Sequence, residues 1–331
     1  MTIYDIAKQA GVSIATVSRV LNGSSNVSAK TKEKVLAIMK REDYTPNIFA
    51  RGLGLNSIKM IGLLCTDVSD IFYAKAVSVI ENALKPLGFN SMLCCTGNNL
   101  EDKKKYMDLL LANRVDALIL IGSTFKEKTD NSHIAKVAAQ IPTVVINALI
   151  DLPTTYCVVC DQFQAMYDNV HILHKHGHDR ILYLYDVDTY SSNQKLEGYK
   201  AAHHDLGLPL HTELILKVNH NKKDILDTLD SLFKKGITFS AVLATDDYMA
   251  ICSMHSLIAR GYSIPKDIPV IGFNNSMLCE CSIPTLTSVD NMVESLCITA
   301  VNLLTDIFQG KNVTHKITLS AQLIERDSFQ S

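Results

Sequence analysis

Residues 2–22 read TIYDIAKQAGVSIATVSRVLN, two short apolar-periodic segments joined at a glycine. Thr2 and Ser13 stand where helix N-caps are expected, and Gly11 supplies the backbone freedom that the turn between the segments requires. Apolar residues recur at helical spacing and can form a miniature core, namely Ile6, Ala7, Val12, Val17 and Leu21. The stretch therefore predicts a helix-turn-helix.

The opposite face of the second predicted helix carries small and hydroxylic residues beside one arginine. Its members are Ser13, Ala15, Thr16, Ser18, Arg19 and Asn22. Such a face lets a helix lie close to phosphates and base edges, and the second helix of this motif enters the major groove of DNA. The pattern predicts DNA as the ligand, although an ordinary three-helix bundle is an alternative that it leaves open.

Charge is divided unevenly along the chain. Residues 1–60 contain nine Lys and Arg against four Asp and Glu, a net charge of +5. The whole chain carries −2, so residues 61–331 carry −7. A basic head on an acidic body is expected if only the head contacts phosphates.

The bulk composition is that of a globular protein. With 331 residues, 47% hydrophobic and 20% charged, we expect two or three compact units. No apolar run of about 18 residues predicts a membrane span, and no apolar signal stretch is seen, so we expect a cytoplasmic protein with no membrane partner. Its nine cysteines are then expected to be reduced.

A third helix and a linker follow the first two segments. The spacing predicts a helix from Ser28 to about Tyr44, ended by Thr45-Pro46. Residues 46–56, PNIFARGLGLN, place a proline at a first helical position, and two glycines make the segment unstable on its own. This predicts a short helix that forms only on DNA, and the alternative is a flexible linker.

From residue 59 apolar strand-like runs alternate with amphipathic helices. The predicted strands are 60–64, 91–94, 117–121, 143–146, 181–184, 241–244 and 270–273, and two of the helices are Ala74–Leu87 and Lys103–Asn113. Such alternation predicts parallel sheets covered on both faces, and the number of strands indicates two sheets and hence two lobes. Ligands of open α/β sheets bind beyond the carboxyl ends of the strands, which can face each other across a cleft.

Two clusters of metal-type residues are interpreted as structural. Cys157-Val158-Val159-Cys160 lies in a predicted strand, where residues three apart point to opposite faces. His171, His174, His176 and His178 read as a solvated helix end without zinc-like partners. We therefore expect neither a metal site nor a cofactor.

The motifs, taken in order, resemble the lactose/galactose-repressor (LacI/GalR) family of bacterial transcription factors. In the head and linker they are Tyr4-Asp5-Ile6-Ala7, Gly11-Val12-Ser13, ATVSRVLNG at 15–23, Pro46-Asn47 and Ala50-Arg51-Gly52-Leu53. In the core they are Leu109-Leu110-Leu111, RVDALIL at 114–120, Gly198-Tyr199, Ala244-Thr245-Asp246-Asp247, Met249-Ala250, Val270-Ile271-Gly272-Phe273, Pro284-Thr285-Leu286-Thr287 and Leu323-Ile324-Glu325-Arg326.

The resemblance implies an all-α helix-turn-helix head at 1–45, a hinge at 46–57 and an α/β core at 58–331 like a periplasmic binding protein. Its two parallel-sheet lobes would comprise about 58–158 plus 288–317 and about 159–287 plus 318–331. It also implies a homodimer on double-stranded operator DNA. The implied DNA contacts are Thr2, Tyr4, Ser13, Ile14, Ala15, Thr16, Ser18, Arg19, Asn22, Ala50 and Leu53. Of these, Ile14, Ala15 and Arg19 would read bases, and Leu53 would wedge into the minor groove.

The resemblance further implies a small-molecule effector between the lobes, by default a sugar or sugar derivative. The implied contacts are Asp70, Phe72, Ser123, Asn147, Lys195, His220, Asp246 and Asn274. Several of them depart from the family pattern, which usually has an arginine at Lys195 and an acid at Asn274. An aromatic residue is frequent in the family at His220, and the usual Asn-Pro-Phe-Phe is Asp70-Ile71-Phe72-Tyr73 in this chain. Lysine is a point charge where arginine is a planar fork, and asparagine adds a donor where an acid only accepts.

The expected function is that of a ligand-responsive transcriptional repressor. An enzyme is not expected, because the chain lacks a Gly-x-Ser-x-Gly elbow, a Walker-type loop and a His-Glu-x-x-His motif. The alternative is a solute-binding protein of the periplasmic type, which would match the core but needs no DNA-binding head.

Overall fold

A computed structural model describes residues 2–21, 24, 26–43 and 57–330. The head consists of helices α1 (Ile3–Ala10), α2 (Ile14–Leu21) and α3 (Ala29–Arg41). Thr2 caps α1 through a capping box, and Ser28 caps α3 by accepting the N–H of Thr31. Gly11 joins α1 to α2 at φ +64°, the left-handed conformation that glycine adopts without strain. The predicted helix-turn-helix is confirmed, and Tyr44, the predicted end of the third helix, lies outside the described residues.

The head has a small core of its own. It comprises Ile6, Ala7, Ala10, Val17, Val20, Val35, Ile38 and Met39, with Val12 and Leu21 packed against it. The three helices therefore bury one shared stripe and leave the other face of α2 free.

The rest of the chain forms two six-stranded sheets. The strands are β1 (Met60–Cys65), β2 (Asn90–Cys95), β3 (Ala117–Ile121), β4 (Thr143–Ile146), β5 (Thr155–Cys160), β6 (Ile181–Tyr185), β7 (Ile215–Lys217), β8 (Ala241–Ala244), β9 (Val270–Phe273), β10 (Thr287–Asp290), β11 (Lys316–Leu319) and β12 (Gln322–Ile324). Their orders are β11-β5-β4-β3-β1-β2 and β12-β10-β9-β8-β6-β7. All pairings are parallel except that of β10 with β12, so the two predicted parallel-sheet lobes are confirmed.

Helices cover both faces of each sheet. They are α4 (Ile71–Leu84), α5 (Leu100–Ala112), α6 (Ser132–Ala138), α7 (Gln162–Lys175), α8 (Tyr190–Asp205), α9 (Lys222–Lys234), α10 (Asp247–Ala259), α11 (Leu278–Cys281) and α12 (Val293–Phe308). In the first lobe α4 and α12 pack on one face and α5 and α6 on the other. In the second lobe α9 and α10 oppose α7 and α8. The predicted helix Ala74–Leu87 begins three residues earlier, at Ile71, and its last three residues form the 3-10 helix Lys85–Leu87.

The chain crosses between the lobes three times. The crossings follow β5, β10 and β11, because the next strand in each case pairs in the other sheet. The expected divisions near 158, 287 and 317 fall inside these three strands. We call the residues that connect β10 to α12 the β10–α12 crossover.

The cysteine and histidine clusters take the predicted positions. Cys157 and Cys160 lie on β5 and face opposite sides of its sheet, since they belong to different core clusters. The four clustered histidines lie at the end of α7 and in the turn that follows. Within the described ranges no group of three or more His, Cys, Asp or Glu could hold a metal ion, and no helix is long and apolar enough to span a bilayer.

Candidate functional site

The outer face of α2 is open to solvent. Ser13, Ile14, Ala15 and Arg19 are exposed, and Thr16 and Ser18 are half-buried at its edge. The Ser13 hydroxyl accepts the N–H of Thr16 at 3.2 Å, which fixes the start of the helix. Six of the predicted DNA contacts therefore share one surface.

Two more predicted contacts lie at the start of α1. Thr2 is exposed at the N-cap, and 67% of the surface of Tyr4 is accessible. A large, accessible tyrosine beside a helix N-terminus offers a hydroxyl and an aromatic ring to a partner. Asn22, Ala50 and Leu53 lie outside the described residues.

All eight predicted effector residues line one cavity between the two lobes. Asp70, Phe72, Ser123 and Asn147 come from the first lobe, and Lys195, His220, Asp246 and Asn274 from the second. Most of these residues follow the carboxyl end of a strand, where open α/β sheets bind ligands. This inner cavity, of about 140 Å³, shares residues with a wider cleft of about 1340 Å³.

On the first-lobe side, backbone geometry fixes the polar groups. Asp70 is the N-cap of α4 and accepts the N–H of Phe72 at 2.8 Å. Burial raises the pKa of Asp70, and its backbone hydrogen bond opposes the rise. Asn147 follows β4 at φ +62°, a conformation that asparagine tolerates, and its Oδ1 accepts the N–H of Cys160 at 3.2 Å.

On the second-lobe side, Lys195 is buried and already bonded. Its Nζ donates to the carbonyl of Thr245 at 2.9 Å and lies 3.6 Å from the ring centroid of Phe273. Burial lowers the pKa of Lys195 to about 8. The ammonium is therefore held against the wall of the cavity.

His220 and Asp246 form an ion pair at the cavity edge. The distance from His220 Nε2 to Asp246 Oδ1 is 3.0 Å. The hydrogen bond to Asp246 raises the pKa of His220 to about 9, so the ring is charged at neutral pH. Asp246 is also the N-cap of α10, where it accepts the N–H of Tyr248 at 2.8 Å.

Asn274 connects Asp246 to the β10–α12 crossover. Its Nδ2 donates to Asp246 Oδ2 at 3.3 Å, and its Oδ1 accepts from Asn291 Nδ2 at 2.8 Å. Asn291 is buried, and its own Oδ1 accepts the N–H of Val293 at 3.2 Å, at the start of α12. A hydrogen-bonded chain therefore runs from the cavity to the segment that joins the lobes.

Asp247, which follows Asp246 in the sequence, is the first residue of α10 and makes hydrogen bonds of its own. It is almost fully buried and accepts the Ser288 hydroxyl at 2.5 Å and the N–H of Ser276 at 2.7 Å. Burial raises the pKa of Asp247 to about 6. The bond to Ser288 connects α10 to β10, the strand that precedes the β10–α12 crossover.

Several lining residues were missed by sequence reasoning. They are Tyr73, Gln162, Asp186, Thr189, Ser191, Ser192 and Asn291, among others. Asp186 and Thr189 follow β6, so the strand-end rule could have found them. Gln162 follows β5, so the same rule could have found it from the predicted strand that contains Cys157 and Cys160. Asn291 follows β10, which was not predicted.

Comparison with known proteins covers both parts of the chain. Residues 2–47 match the family described as "Bacterial regulatory proteins, lacI family", and residues 59–326 match "Periplasmic binding proteins and sugar binding domain of LacI family". The chain is similar to an HTH-type transcriptional regulator of Lachnoclostridium phytofermentans, with 48% identity over 98% of each chain. It is 31% identical to the HTH-type transcriptional regulator DegA of Bacillus subtilis over 99% of this chain and 97% of that protein.

Solved structures show the same architecture. A lac repressor dimer bound to operator and the anti-inducer ONPF superposes with a TM-score of 0.85 at 25% identity, covering 99% of this chain and 98% of that one. A complex of the transcriptional regulator CelR with cellobiose gives a TM-score of 0.73 at 25% identity, covering 99% and 100%. The head, the two-lobed core and these likenesses together show that the chain belongs to the LacI family of DNA-binding transcriptional regulators.

Proposed function

We propose that the protein is a transcriptional repressor whose affinity for operator DNA changes when a sugar or sugar derivative binds between the lobes. The observation that carries the proposal is that eight residues far apart in the sequence line one interlobe cavity. The head of the same chain exposes the outer face of α2. A solute-binding protein would have no use for such a face.

The head would read the operator through α2. Arg19, Ile14 and Ala15 would contact base edges in the major groove, since arginine suits guanine and small apolar side chains suit the thymine methyl. Thr2, Tyr4, Ser13, Thr16, Ser18 and Asn22 would fix the register through phosphates. The exposure of α2 supports these roles.

A homodimer would place two heads on a pseudo-palindromic operator with half-sites about one turn apart. The core leaves Met277 and Ile283 unusually exposed, at 71% and 86%, as an apolar contact surface would require. Residues 46–57 would form paired hinge helices, with Ala50 and Leu53 in the minor groove. This division, with the head at 1–45 and the core at 58–331, rests on the family likeness.

A saccharide suits the chemistry of the cavity. Its walls offer carboxylates, amides and hydroxyls that can pair with sugar hydroxyls, and Phe72 offers an aromatic face. The related regulator CelR has been solved with cellobiose. The wider cleft leaves space for more than one sugar ring.

The chain through Asn274 and Asn291 would carry the signal. A ligand hydroxyl that competes for Asp246 or Asn274 would change the bonds that hold the β10–α12 crossover. The angle between the lobes would then shift, because α12 packs on the first lobe. A coupling of about 1–3 kcal/mol would change operator affinity about 5–150-fold.

Selection of genomic DNA fragments from the source organism by the purified protein, followed by sequencing, tests the proposal. We expect enrichment of palindromes beside sugar transport or catabolism genes. Leu53→Ala should weaken binding to the enriched sites, as the loss of a minor-groove wedge predicts. Folded protein that enriches no sequence at low salt, with or without a sugar panel, would contradict a sequence-specific regulator.

A further inference from the structure

Among the charged groups of the inner cavity, carboxylates outnumber cations, and the cations already take part in hydrogen bonds. Three carboxylates, Asp70, Asp186 and Asp246, line it with two cations, Lys195 and His220. Both cations already have partners, since Lys195 donates to a backbone carbonyl and His220 to Asp246. No arginine is among the residues that line the cavity in the described part of the chain.

Four helices begin at this cavity, and each N-terminus is capped by the chain itself. A helix N-terminus is where a phosphate would bind, through free N–H groups and the helix dipole. Asp70 caps α4, Asp161 caps α7 and Asp246 caps α10, accepting N–H groups at 2.8, 3.0 and 2.8 Å. Thr189 caps α8 by accepting the N–H of Ser192 at 3.4 Å. Carboxylates thus occupy three of these four anion positions.

We propose that the effector is an uncharged saccharide and that the cavity excludes phosphorylated sugars and other anions. The inference rests on the proposed function in taking this cavity as the effector site. An incoming phosphate would approach three carboxylates against two cations, one of which, His220, is already paired with Asp246, and carboxylates already cap three of the four helix ends. Neutral hydroxyls meet no such barrier, because carboxylate and amide oxygens accept from them and amide nitrogens donate to them.

Asp70 is the main specificity-determining residue for this exclusion. The charge of Asp246 is partly balanced by His220, whereas no salt bridge within the described ranges involves Asp70 or Asp186, and of these two Asp70 is the one next to the aromatic side chain. Asp70 lies beside Phe72, the aromatic side chain on which a sugar ring could stack. Its carboxylate therefore stands where a phosphate on that sugar would arrive.

Isothermal titration calorimetry with the full chain at fixed ionic strength tests the proposal. The probes are glucose, maltose, trehalose and cellobiose, with glucose 6-phosphate, trehalose 6-phosphate and inorganic phosphate. We expect at least one neutral sugar to bind, its phosphorylated counterpart to bind at least about tenfold more weakly, and inorganic phosphate not to bind. Equal or tighter binding of a phosphorylated sugar, or no response to any neutral sugar, would overturn the proposal.

Asp70→Asn sharpens the test, because the amide oxygen can still cap α4 while the charge is removed. The affinity gap between glucose and glucose 6-phosphate, or between trehalose and trehalose 6-phosphate, should narrow in this variant. Asp102→Asn is the matched control, since Asp102 is exposed on α5 and lines neither the inner cavity nor the wider cleft, and it should leave the gap unchanged. An unchanged gap in Asp70→Asn would refute the role of Asp70. Calorimetry needs no DNA, so a sugar that binds without altering operator affinity would contradict the proposed function alone.

Discussion

The head and the interlobe cavity differ in how far apart in the sequence their candidate contact residues lie. The described candidate DNA contacts fall within residues 2–19 and lie on two adjacent helices, whereas the cavity draws its lining from Asp70 through Asn291 and from both lobes. In the head, helical periodicity alone places the candidate DNA contacts on one exposed face. The cavity exists only because two sheets bring the ends of their strands together.

The two regions also differ in how their polar groups are occupied. Arg19 is exposed to solvent on the outer face of α2 and available to a partner, and the exposed Ser13 hydroxyl is bonded to Thr16. In the cavity, Lys195, His220, Asp246 and Asn274 are bonded to their own surroundings. The head is thus built to acquire contacts on binding, and the cavity is built to exchange them, which is the arrangement that a ligand-controlled DNA-binding protein needs.

Gly198→Ala should produce the largest effect, and in the core alone. An added Cβ on Gly198 would lie 2.2 Å from the carbonyl oxygen of Phe163, so α7 and α8 must separate. Because the contact is with backbone, we expect a loss of about 3 kcal/mol or more in the free energy of unfolding, measured by urea denaturation and circular dichroism. Gly236→Ala is the control, because its Cβ meets no atom within 4 Å and only its φ of +68° is strained. An equal loss in both variants would contradict the packing explanation.

Arg19→Ala should weaken the binding of operator DNA by the head without affecting the interlobe cavity. We expect a loss of about 1–3 kcal/mol in binding to cognate operator, with little change on random DNA, measured by fluorescence anisotropy. Lys40→Ala, an exposed lysine on α3, removes the same charge from the head and should act weakly on both DNAs. An equal loss on cognate and random DNA would mark Arg19 as a phosphate contact instead of a base contact.

Asn274→Asp should uncouple the two regions. The change replaces an amide donor, 3.3 Å from Asp246 Oδ2, with a second carboxylate. At saturating sugar, the ratio of operator affinities with and without ligand should fall by about fivefold or more. Adding Asp246→Asn to this variant places an amide donor opposite the new carboxylate, so the pair again has one donor and one acceptor. The ratio of operator affinities with and without ligand should then return towards the wild-type value. A single variant with wild-type coupling would exclude this path.

His220→Gln should give the smallest effect, seen as a pH dependence. The pKa of His220 is raised from 6.5 to about 9 by Asp246, with Asp186 and Asp70 adding to the rise, so its stabilisation is complete below pH 6.5 and is lost as the pH rises through 9. The difference in unfolding free energy between wild type and variant should therefore shrink over that range. Lys195, with its pKa lowered to about 8, gives the opposite slope above pH 8 in both proteins, so the difference isolates His220. A difference that does not depend on pH would contradict the ion pair.

Much of the fold followed from local patterns. The strands at 117–121, 143–146, 241–244 and 270–273 were predicted at their observed bounds, because each is a continuous apolar run buried on both faces. The strands β7, β11 and β12 were not in the predicted set, because they are short and partly exposed. β10 was missed because its sequence, TSVD, is polar although buried, and its hydroxyls donate to distant acceptors, namely the Asp247 carboxylate and the carbonyl of Phe329.

The cavity was predictable as a set of residues but not as a network. Family resemblance named eight of the residues that line it, but not others such as Asp186 and Asn291, and the strand-end rule explains why most of those eight meet. The bonds that join Asn274 to Asp246 and Asn291 depend on left-handed backbone at Asn274, with φ +102°, and on the path of the crossover. Neither feature has a signature in the local sequence.

The most direct test of the central claim is the operator affinity of the full chain, measured by fluorescence anisotropy on a selected site with and without each neutral sugar. We predict that a sugar which binds the cavity changes that affinity about 5–150-fold and that Asn274→Asp abolishes most of the change. A sugar that saturates the cavity and leaves the operator affinity of the wild-type protein unchanged would contradict it.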